Sequence, residues 1–338
     1  MTVHVGGAGL FTTVQDLGRP THQREGVPAG GAMDRLALRV ANLLVGNDDS
    51  LAALETTLIG PTLVFEQAAL IALAGADLDA SIDDEPVPPW KPAAVAAGAT
   101  LRFGKPKTGC RAYLAIAGGI DVPTVFGSRG TYTRAAFGGL DGRALRAGDR
   151  LALSAPSALS ARIARSLHAD GDRHPARVAR WSAGIDLRPP YASDVAVRVI
   201  AGAHTDALSA ESRAKFHSTT FRVSSSSDRM GYRLEGHTLA LRQRIELLSE
   251  GVAFGTVQLP PDGAPIVLMA DRQTTGGYPR IGEVASVDLP LVAQLKPGDG
   301  LRFRPIDIEE AQRLYVDREQ ELTQARMAIG LRFGWSDR

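Results

Sequence analysis

The sequence predicts a mainly β protein made of two related halves, with a few short helices and a C-terminal helix. Three observations predict it. The 36 glycines and 20 prolines are spread along the 338 residues rather than clustered, as tight turns between short strands require. Short apolar or alternating runs recur between those turns, the pattern of a barrel or sandwich. Finally, Gly98-Ala99-Thr100-Leu101-Arg102-Phe103 returns as Gly298-Asp299-Gly300-Leu301-Arg302-Phe303, an internal echo at a spacing of 200 residues. Upstream of each copy an apolar run ends in a small residue and an aspartate, as Leu73-Ala74-Gly75-Ala76-Asp77 and as Leu268-Met269-Ala270-Asp271.

The elements follow in order. Thr2-Val3-His4-Val5 alternates as a half-buried strand does and runs into the turn Gly6-Gly7-Ala8-Gly9. Met33, Leu36, Val40, Leu43 and Leu44 recur at helical spacing, which predicts a helix over Met33 to Val45 that ends near Gly46-Asn47. Strands are expected at Leu63-Val64-Phe65, Ala69 to Leu73 and Leu101-Arg102-Phe103, and Cys110 to Ala117 reads as a strand buried on both faces. Ser157 to His168 forms a modest helix ahead of a polar stretch with Gly171, Pro175, Pro189 and Pro190, the best boundary between the halves. From Asp307 to Gly330 a capped helix is expected, with Glu310 three residues after Asp307. Its stripe of Ile308, Ala311, Tyr315, Leu322, Ala325 and Ile329 either packs on a barrel or meets a partner subunit, core packing being the blander reading. The resulting division is 1–155, a linker at 156–193, 194–306, and a helical tail at 307–338.

Composition excludes several classes of function. Hydrophobic residues make up 44% of the chain and charged ones 22%, ordinary for a globular protein with a substantial core. Lys plus Arg number 38 against 37 acidic residues, which lacks the electrostatic footprint of a nucleic-acid binder. Cys110 is the single cysteine, so neither an intrachain disulfide nor a thiolate metal site is expected. Met1 to Leu17 has no basic region followed by an apolar run, and no stretch has the length of a membrane span. A soluble, unprocessed, cytoplasmic chain is the expectation. The arginines of the linker, Arg162, Arg165, Arg173, Arg177, Arg180 and Arg188, read as a solvated face and receive no role.

Four polar, glycine-rich segments follow strand-like runs, as loops carrying function do. Thr12 to Arg19 is followed by Gly26 to Asp34, where Gly30-Gly31 ahead of a helix reads either as a set of N–H donors for an anion or as an ordinary turn. Phe126 to Arg134 places Arg129 and Arg134 among hydroxyls and glycines, a carboxylate or phosphate clamp or a surface turn. Ser224 to Arg233 has no strained nucleophile turn, so its serines read as turn chemistry, while Asp228 and Arg229 are free to pair or to bind a polar ligand. The run Ile266 to Ala270 delivers Asp271-Arg272-Gln273-Thr274-Thr275-Gly276-Gly277-Tyr278-Pro279-Arg280, in which seven of ten side chains can hydrogen-bond. Burying so many polar groups without a ligand or partner is expensive, so function is expected here. The sequence has no phosphate-binding GxxxxGK[ST] loop, no GxGxxG between strand and helix, no HExxH and no histidine spacing for a metal. It also has no biotin-acceptor lysine flanked by methionines.

Taken together, these segments resemble the family described variously as the C subunit of 5-oxoprolinase, allophanate hydrolase subunit 2, KipA-like or biotin-dependent carboxyltransferase subdomain. The likeness rests on Thr12 to Arg19, Gly26 to Asp34, Ala41 to Asn47, Ala117 to Asp121 with Phe126 to Thr133, Ser227 to Tyr232, and Ser249-Glu250-Gly251 through Gly282, over roughly residues 3 to 305. The resemblance implies two cyclophilin-like β-barrel domains related as an internal repeat. It further implies a protein that joins an A subunit and a B subunit to hydrolyse 5-oxoproline, a small cyclic amide, with ATP and magnesium. Domains for biotin carboxylation and biotin carriage, fused to the related region in urea carboxylase, are absent from this sequence, which favours a separate subunit.

Opening an unreactive lactam with ATP calls for phosphorylation of the amide oxygen and attack by water on the activated carbon. Cationic and N–H groups must meet the developing oxygen charge, and a carboxylate must orient the water. Residue chemistry on the matched segments assigns Asp228, Asp271 and Arg272 as catalytic. The substrate-binding set is Gln15, Arg19, Arg129, Thr131, Tyr132, Arg229, Gln258, Gln273, Thr274, Thr275, Gly276, Gly277 and Tyr278. In that scheme Arg129 or Arg272 holds the substrate carboxylate, Gln15, Gln258 and Gln273 fix the amide, and Asp228 or Asp271 orients water. Two rival readings are a KipA-like regulator that sequesters an inhibitor of a kinase, and a carboxyltransferase acting on a urea-like acceptor.

Overall fold

The computed structural model describes residues 1–167, 174–243 and 245–334. The expected helix end at His168, Gly171 and Arg173 of the expected linker, and residues 335–338 of the tail lie outside the described residues. The architecture is mainly β with few helices, as the turn-rich sequence implies. Its contacts divide the chain into two compact units: Met1–Gly18 with Asp34–Pro189 and the chain from Gln320 on, and Arg19–Met33 with Pro190–Glu319.

The first unit holds two antiparallel sheets of six strands each. One runs Arg150–Ala152, Thr2–Gly7, Thr62–Phe65, Thr100–Phe103, Ala80–Ile82 and Glu85–Pro86. The other runs Ala176–Val178, Pro92–Val95, Ala69–Asp77, Thr108–Ile116, Ala53–Thr57 and Phe11–Gln15. Val3, Val5, Val14, Leu63, Phe65, Ile71, Leu101, Leu114 and Leu151 meet in a single buried cluster. Strand Thr108–Ile116 pairs on both edges, with Ala69–Asp77 and Ala53–Thr57, and is buried on both faces from Cys110 onward. Ala176–Val178 of the expected linker pairs with Pro92–Val95, so part of that stretch is sheet rather than free connection.

Helix α1, Arg35–Leu44, begins two residues after the expected start at Met33, which packs in the second unit instead: the Asp34 carboxylate accepts the Ala37 N–H at 2.9 Å and caps the first turn. It ends at Gly46 with φ +73°, a position at which a Cβ would lie 2.9 Å from the Ser160 nitrogen. Helix α2, Ala158–Leu167, is capped by Ser157, whose oxygen accepts the Ser160 N–H at 3.0 Å.

The second unit closes as a seven-stranded barrel: Asp194–Ala201, Arg280–Val284, Thr256–Gln258, Ile266–Leu268, Gly231–Glu235, Phe221–Val223 and Gly300–Pro305. A parallel pairing of Gly300–Pro305 with Asp194–Ala201 shuts it, leaving no sheet edge. Val197, Val257, Val267, Ile281, Leu301 and Phe303 fill the interior with Phe216 of helix α3, Ala210–Ser218, and a short helix α4, Leu289–Ala293, accompanies them. Phe303 lies 4.6 Å from Phe216 and 5.9 Å from Phe221, ring centre to ring centre. Each such ring contributes about 2–3 kcal/mol by burial. Both copies of the internal echo start a strand two residues after a left-handed glycine, Gly98 at φ +84° and Gly298 at φ +90°.

Helix α5, Ile308–Phe333, is capped as expected, the Asp307 carboxylate accepting the Glu310 N–H at 2.7 Å. Its stripe is not core. Leu322 is buried, but Ile308 and Tyr315 are 47% and 51% exposed, because helical spacing gathers apolar residues on one side without specifying what covers them. No helix among the described residues is long and apolar enough to cross a membrane.

Candidate functional site

In the first unit the polar side chains singled out from the sequence gather where strand Phe11–Gln15 meets the loop at 126–142. Asp16 organises that loop: one carboxylate oxygen accepts the Ser128 hydroxyl at 2.6 Å and the Gly18 N–H at 2.8 Å, and the other accepts the Arg129 N–H at 2.6 Å. Ser128 in turn accepts the Gly130 N–H at 2.9 Å. Gln15 donates from its amide nitrogen to Thr13 and to the Thr131 carbonyl, both at 3.1 Å. Its amide oxygen is fully buried and takes no hydrogen bond from a described residue. A side chain at Gly130 would place its Cβ 3.0 Å from both that oxygen and Asp16. Arg129 reaches the Ile120 carbonyl at 3.4 Å and Asp121 at 3.6 Å. Thr131 donates to the Val14 carbonyl at 2.9 Å, and Tyr132 packs on Phe137. Phe126, Ala136 and Asp141 all hold left-handed backbone conformations, at φ +52°, +53° and +53°. Such strain collects in loops whose shape matters to function.

The second unit presents a denser polar cluster. Arg229 donates twice to Asp271, at 2.8 and 3.0 Å, and once to the Gly31 carbonyl at 2.6 Å; both side chains are buried. Arg19 is 1% exposed. Gly30, at φ +61°, lets its guanidinium and the Asp271 carboxylate come close, since a Cβ there would stand 3.2 Å from Arg19 Nη1 and 3.6 Å from Asp271 Oδ1. The Gly30 N–H is spent on the Ala270 carbonyl at 3.1 Å, which favours the ordinary-turn reading of Gly30-Gly31 over an anion site. Arg272 donates to the Val252 carbonyl at 3.2 Å and to the Gln23 side chain at 3.3 Å, 6.0 Å above the Phe254 ring.

Strand alternation explains the rest of this cluster. Val257 points into the barrel core, so its neighbours Thr256 and Gln258 point outward, yet they are 0% and 1% exposed. Polar side chains on the outer face have thus been covered by polar loops. Gln273 donates to the Gln258 amide oxygen at 3.4 Å, whereas the Gln258 amide nitrogen is buried with no acceptor among the described residues. Gly276 lies against it: a Cβ there would fall 2.4 Å from that nitrogen. Thr256 donates to Glu283 at 2.7 Å. Burial pushes the Glu283 pKa up, against the Thr256 hydrogen bond and the Arg280 and Arg272 charges, which pull it down.

Other predicted residues have more local duties. Asp228 is exposed and accepts the Met230 and Gly231 N–H groups at 2.7 and 3.3 Å, an Asx turn. Ser224 and Ser227 likewise accept backbone N–H groups of Ser226 and Arg233. The Thr274 carbonyl accepts the Val252 N–H, Thr275-Gly276 pairs with Glu250-Gly251, and Gly277 and Tyr278 are exposed. Sequence reasoning passed over Asp16, Ser128 and Arg35 in the first unit and Thr256 and Glu283 in the second. Burial lowers the pKa of Arg35 while the Asp16 carboxylate raises it. Asp16 and Ser128 lie inside segments already singled out, so pairing the two segments would have found them. Glu283 carries no such signal, as one acid on a strand reads as solvated.

Residues 25–305 match the family model of the carboxyltransferase domain, subdomain A and B. A protein from Escherichia coli, named as the C subunit of 5-oxoprolinase, is 40% identical over 317 residues, covering 94% of this chain and 95% of its own length. Its namesake from Haemophilus influenzae is 38% identical with the same coverage, 94% and 95%. The crystal structure of the Kluyveromyces lactis urea amidolyase superposes with a TM-score of 0.85 at 31% identity over 96% of this chain, which spans 20% of that much longer protein. The chain therefore belongs to the carboxyltransferase-domain family, subdomains A and B, in company with the 5-oxoprolinase C subunits.

Proposed function

We propose that the chain is the C subunit of an ATP-dependent 5-oxoprolinase, which with A and B subunits opens 5-oxoproline to glutamate. One observation carries this reading: likeness to the two 5-oxoprolinase C subunits runs nearly end to end in both directions, at 94% and 95% coverage, against a fifth of the urea amidolyase. The second unit supplies a chemistry suited to the task. Arg272, oriented by Val252 and Gln23, offers a guanidinium to the substrate carboxylate. Gln258 offers a buried amide N–H without an acceptor to the lactam oxygen, a contact whose absence leaves a penalty of about 1–3 kcal/mol. Asp271, held in a bidentate pair, positions Arg229, which donates to the Gly31 carbonyl, rather than activating water.

Among the described residues no three His, Cys, Asp or Glu side chains gather as metal ligands, so a magnesium ion would be carried on the ATP phosphates. A chain whose single cysteine is buried has no disulfide to maintain and suits the reducing cytoplasm, where we place the complex. The urea amidolyase likeness favours a second reading, carboxyl transfer to a urea-like acceptor.

The deciding experiment purifies the chain alone and with A and B subunits, and measures glutamate formed from 5-oxoproline with and without ATP. Release only in the complete, ATP-supplied mixture is expected. Full activity of the A and B subunits without this chain would overturn the proposal, and activity that requires a biotinylated protein would select the carboxyltransferase reading.

A further inference from the structure

Two of the carboxylates that sequence chemistry would recruit to activate water are engaged elsewhere: Asp228 closes an Asx turn and Asp271 clasps Arg229. Glu283 is differently placed. It stands on strand Arg280–Val284 directly across from Thr256, so the two share the outer face of the barrel with Gln258, two residues along the same strand as Thr256. Thr256 Oγ1 fixes one carboxylate oxygen at 2.7 Å and itself accepts the Ala253 N–H at 3.0 Å, so the acid is held in one orientation. The other oxygen of Glu283 takes no hydrogen bond from any described residue. The charged groups that face it are the guanidiniums of Arg272 and Arg280, the latter paired with Glu250 at 2.6 Å. An oriented carboxylate with one oxygen available, beside an arginine and an unsatisfied amide donor, has the parts of a water-activating site.

We propose that Glu283 takes the proton from the attacking water. This rests on the 5-oxoprolinase reading, which supplies the nucleoside triphosphate and the O-phosphorylated lactam. The water oxygen bonds to the ring carbon, the C=N electron pair moves onto the ring nitrogen, and one water proton passes to Glu283 and from there to that nitrogen. The remaining hydroxyl proton follows to the nitrogen as the ring C–N bond breaks, leaving an acyl phosphate that a second water hydrolyses to the carboxylate and inorganic phosphate. Glu283 ends ionised, as it began. Partial burial tunes it for the work, keeping its pKa above the ordinary glutamate range and so closer to that of a useful base at neutral pH.

The test uses the complex of this chain with A and B subunits. Glu283→Gln should lower kcat for glutamate release at least about 100-fold with KM changed much less, and should abolish the acid limb of the kcat–pH profile. Glu283→Asp should restore part of the rate. Thr256→Val removes a hydrogen bond that favours the ionised acid, so it should move the acid limb to higher pH. Thermal unfolding and co-purification with the partner subunits establish that each variant is folded and assembled. A wild-type complex that makes glutamate while Glu283→Gln keeps its rate and its acid limb overturns this inference alone. An unmoved limb in Thr256→Val does the same, and it decides the matter should Glu283→Gln fail to fold. No glutamate from the wild-type complex overturns the functional reading and this assignment with it.

Discussion

Asp271 and Arg272 are neighbours in sequence with opposite duties. Asp271 accepts two hydrogen bonds from a buried guanidinium, so its removal strands Arg229 without its counter-charge. Asp271→Ala should cost about 3–5 kcal/mol of unfolding free energy, the usual penalty for breaking a buried pair from one side. Arg272→Ala removes two hydrogen bonds longer than 3 Å and should cost about 1–2 kcal/mol, showing itself instead as a raised KM for 5-oxoproline. Urea denaturation of both variants checks this contrast, and equal losses would refute it. Tyr113 makes a related point in the first unit. Its hydroxyl donates to Glu55 at 2.6 Å and accepts the Asp34 N–H at 2.7 Å, tying the cap of α1 to the sheet. Tyr113→Phe leaves Glu55 buried and short of a donor, for a loss of about 1–3 kcal/mol in the same denaturation experiment.

Among the loops, that at 126–142 depends on glycine for space as much as for conformation. At Gly139, φ +56°, a Cβ would stand 1.9 Å from the Thr131 hydroxyl. At Gly98, φ +84°, nothing lies within 4 Å. Gly98→Ala should therefore cost only the left-handed backbone penalty of about 1–2 kcal/mol, whereas Gly139→Ala adds an overlap worth about 1–3 kcal/mol more and should disturb Thr131. Comparable midpoints for the two variants in thermal unfolding would contradict the argument. These loops also show how much was legible beforehand. Helix α1 could be read from the spacing of Leu36, Val40, Leu43 and Leu44, because local periodicity acts within a few residues, whereas Met33, outside the helix, joins the core of the second unit. Strand Ile266–Leu268 and the polar run after it could be read for the same reason. The second unit's use of Arg19–Met33 could not, since nothing in those residues encodes which distant strands they join. The exposure of Ile308 and Tyr315 on α5 was likewise hidden, because an amphipathic stripe names a side and not its neighbour. Thr256 and Gln258 were illegible as buried groups for a related reason: alternation points them outward, and only the loops folded over them reveal the burial.

For the whole molecule, His217, Tyr113 and Glu283 are three of the ionisable groups whose shifted pKa values make stability follow pH. Burial lowers the pKa of His217, and Arg213 adds to the effect against a hydrogen bond to the Phe303 backbone. The unfolded chain binds that proton more readily, so the contribution is complete above pH about 6.5 and is lost as pH falls through the lower folded value. Tyr113 behaves in the opposite sense. Burial, then the Glu55 and Asp34 charges, raise its pKa well above the ordinary value, so its contribution is full below pH about 10 and is lost as pH rises through the folded value. Glu283 also has a raised pKa, so its stabilising share is present below pH about 4.3 and is gone once pH passes the folded value. At neutral pH the ionised, half-buried Glu283 is therefore a cost that the fold carries. Thermal unfolding followed from pH about 4 to pH about 11 should show wild type falling off on both sides. The alkaline fall should flatten in Tyr113→Phe and the acid fall should soften in His217→Asn. Glu283→Gln should unfold at a higher temperature than wild type at pH about 8, with the gap closing as pH drops toward the ordinary glutamate range. Such a variant, more stable yet slower in glutamate release, would be the mark of an acid kept for chemistry at the expense of stability. A Glu283→Gln protein less stable than wild type at every pH would instead make Glu283 a structural partner of Thr256.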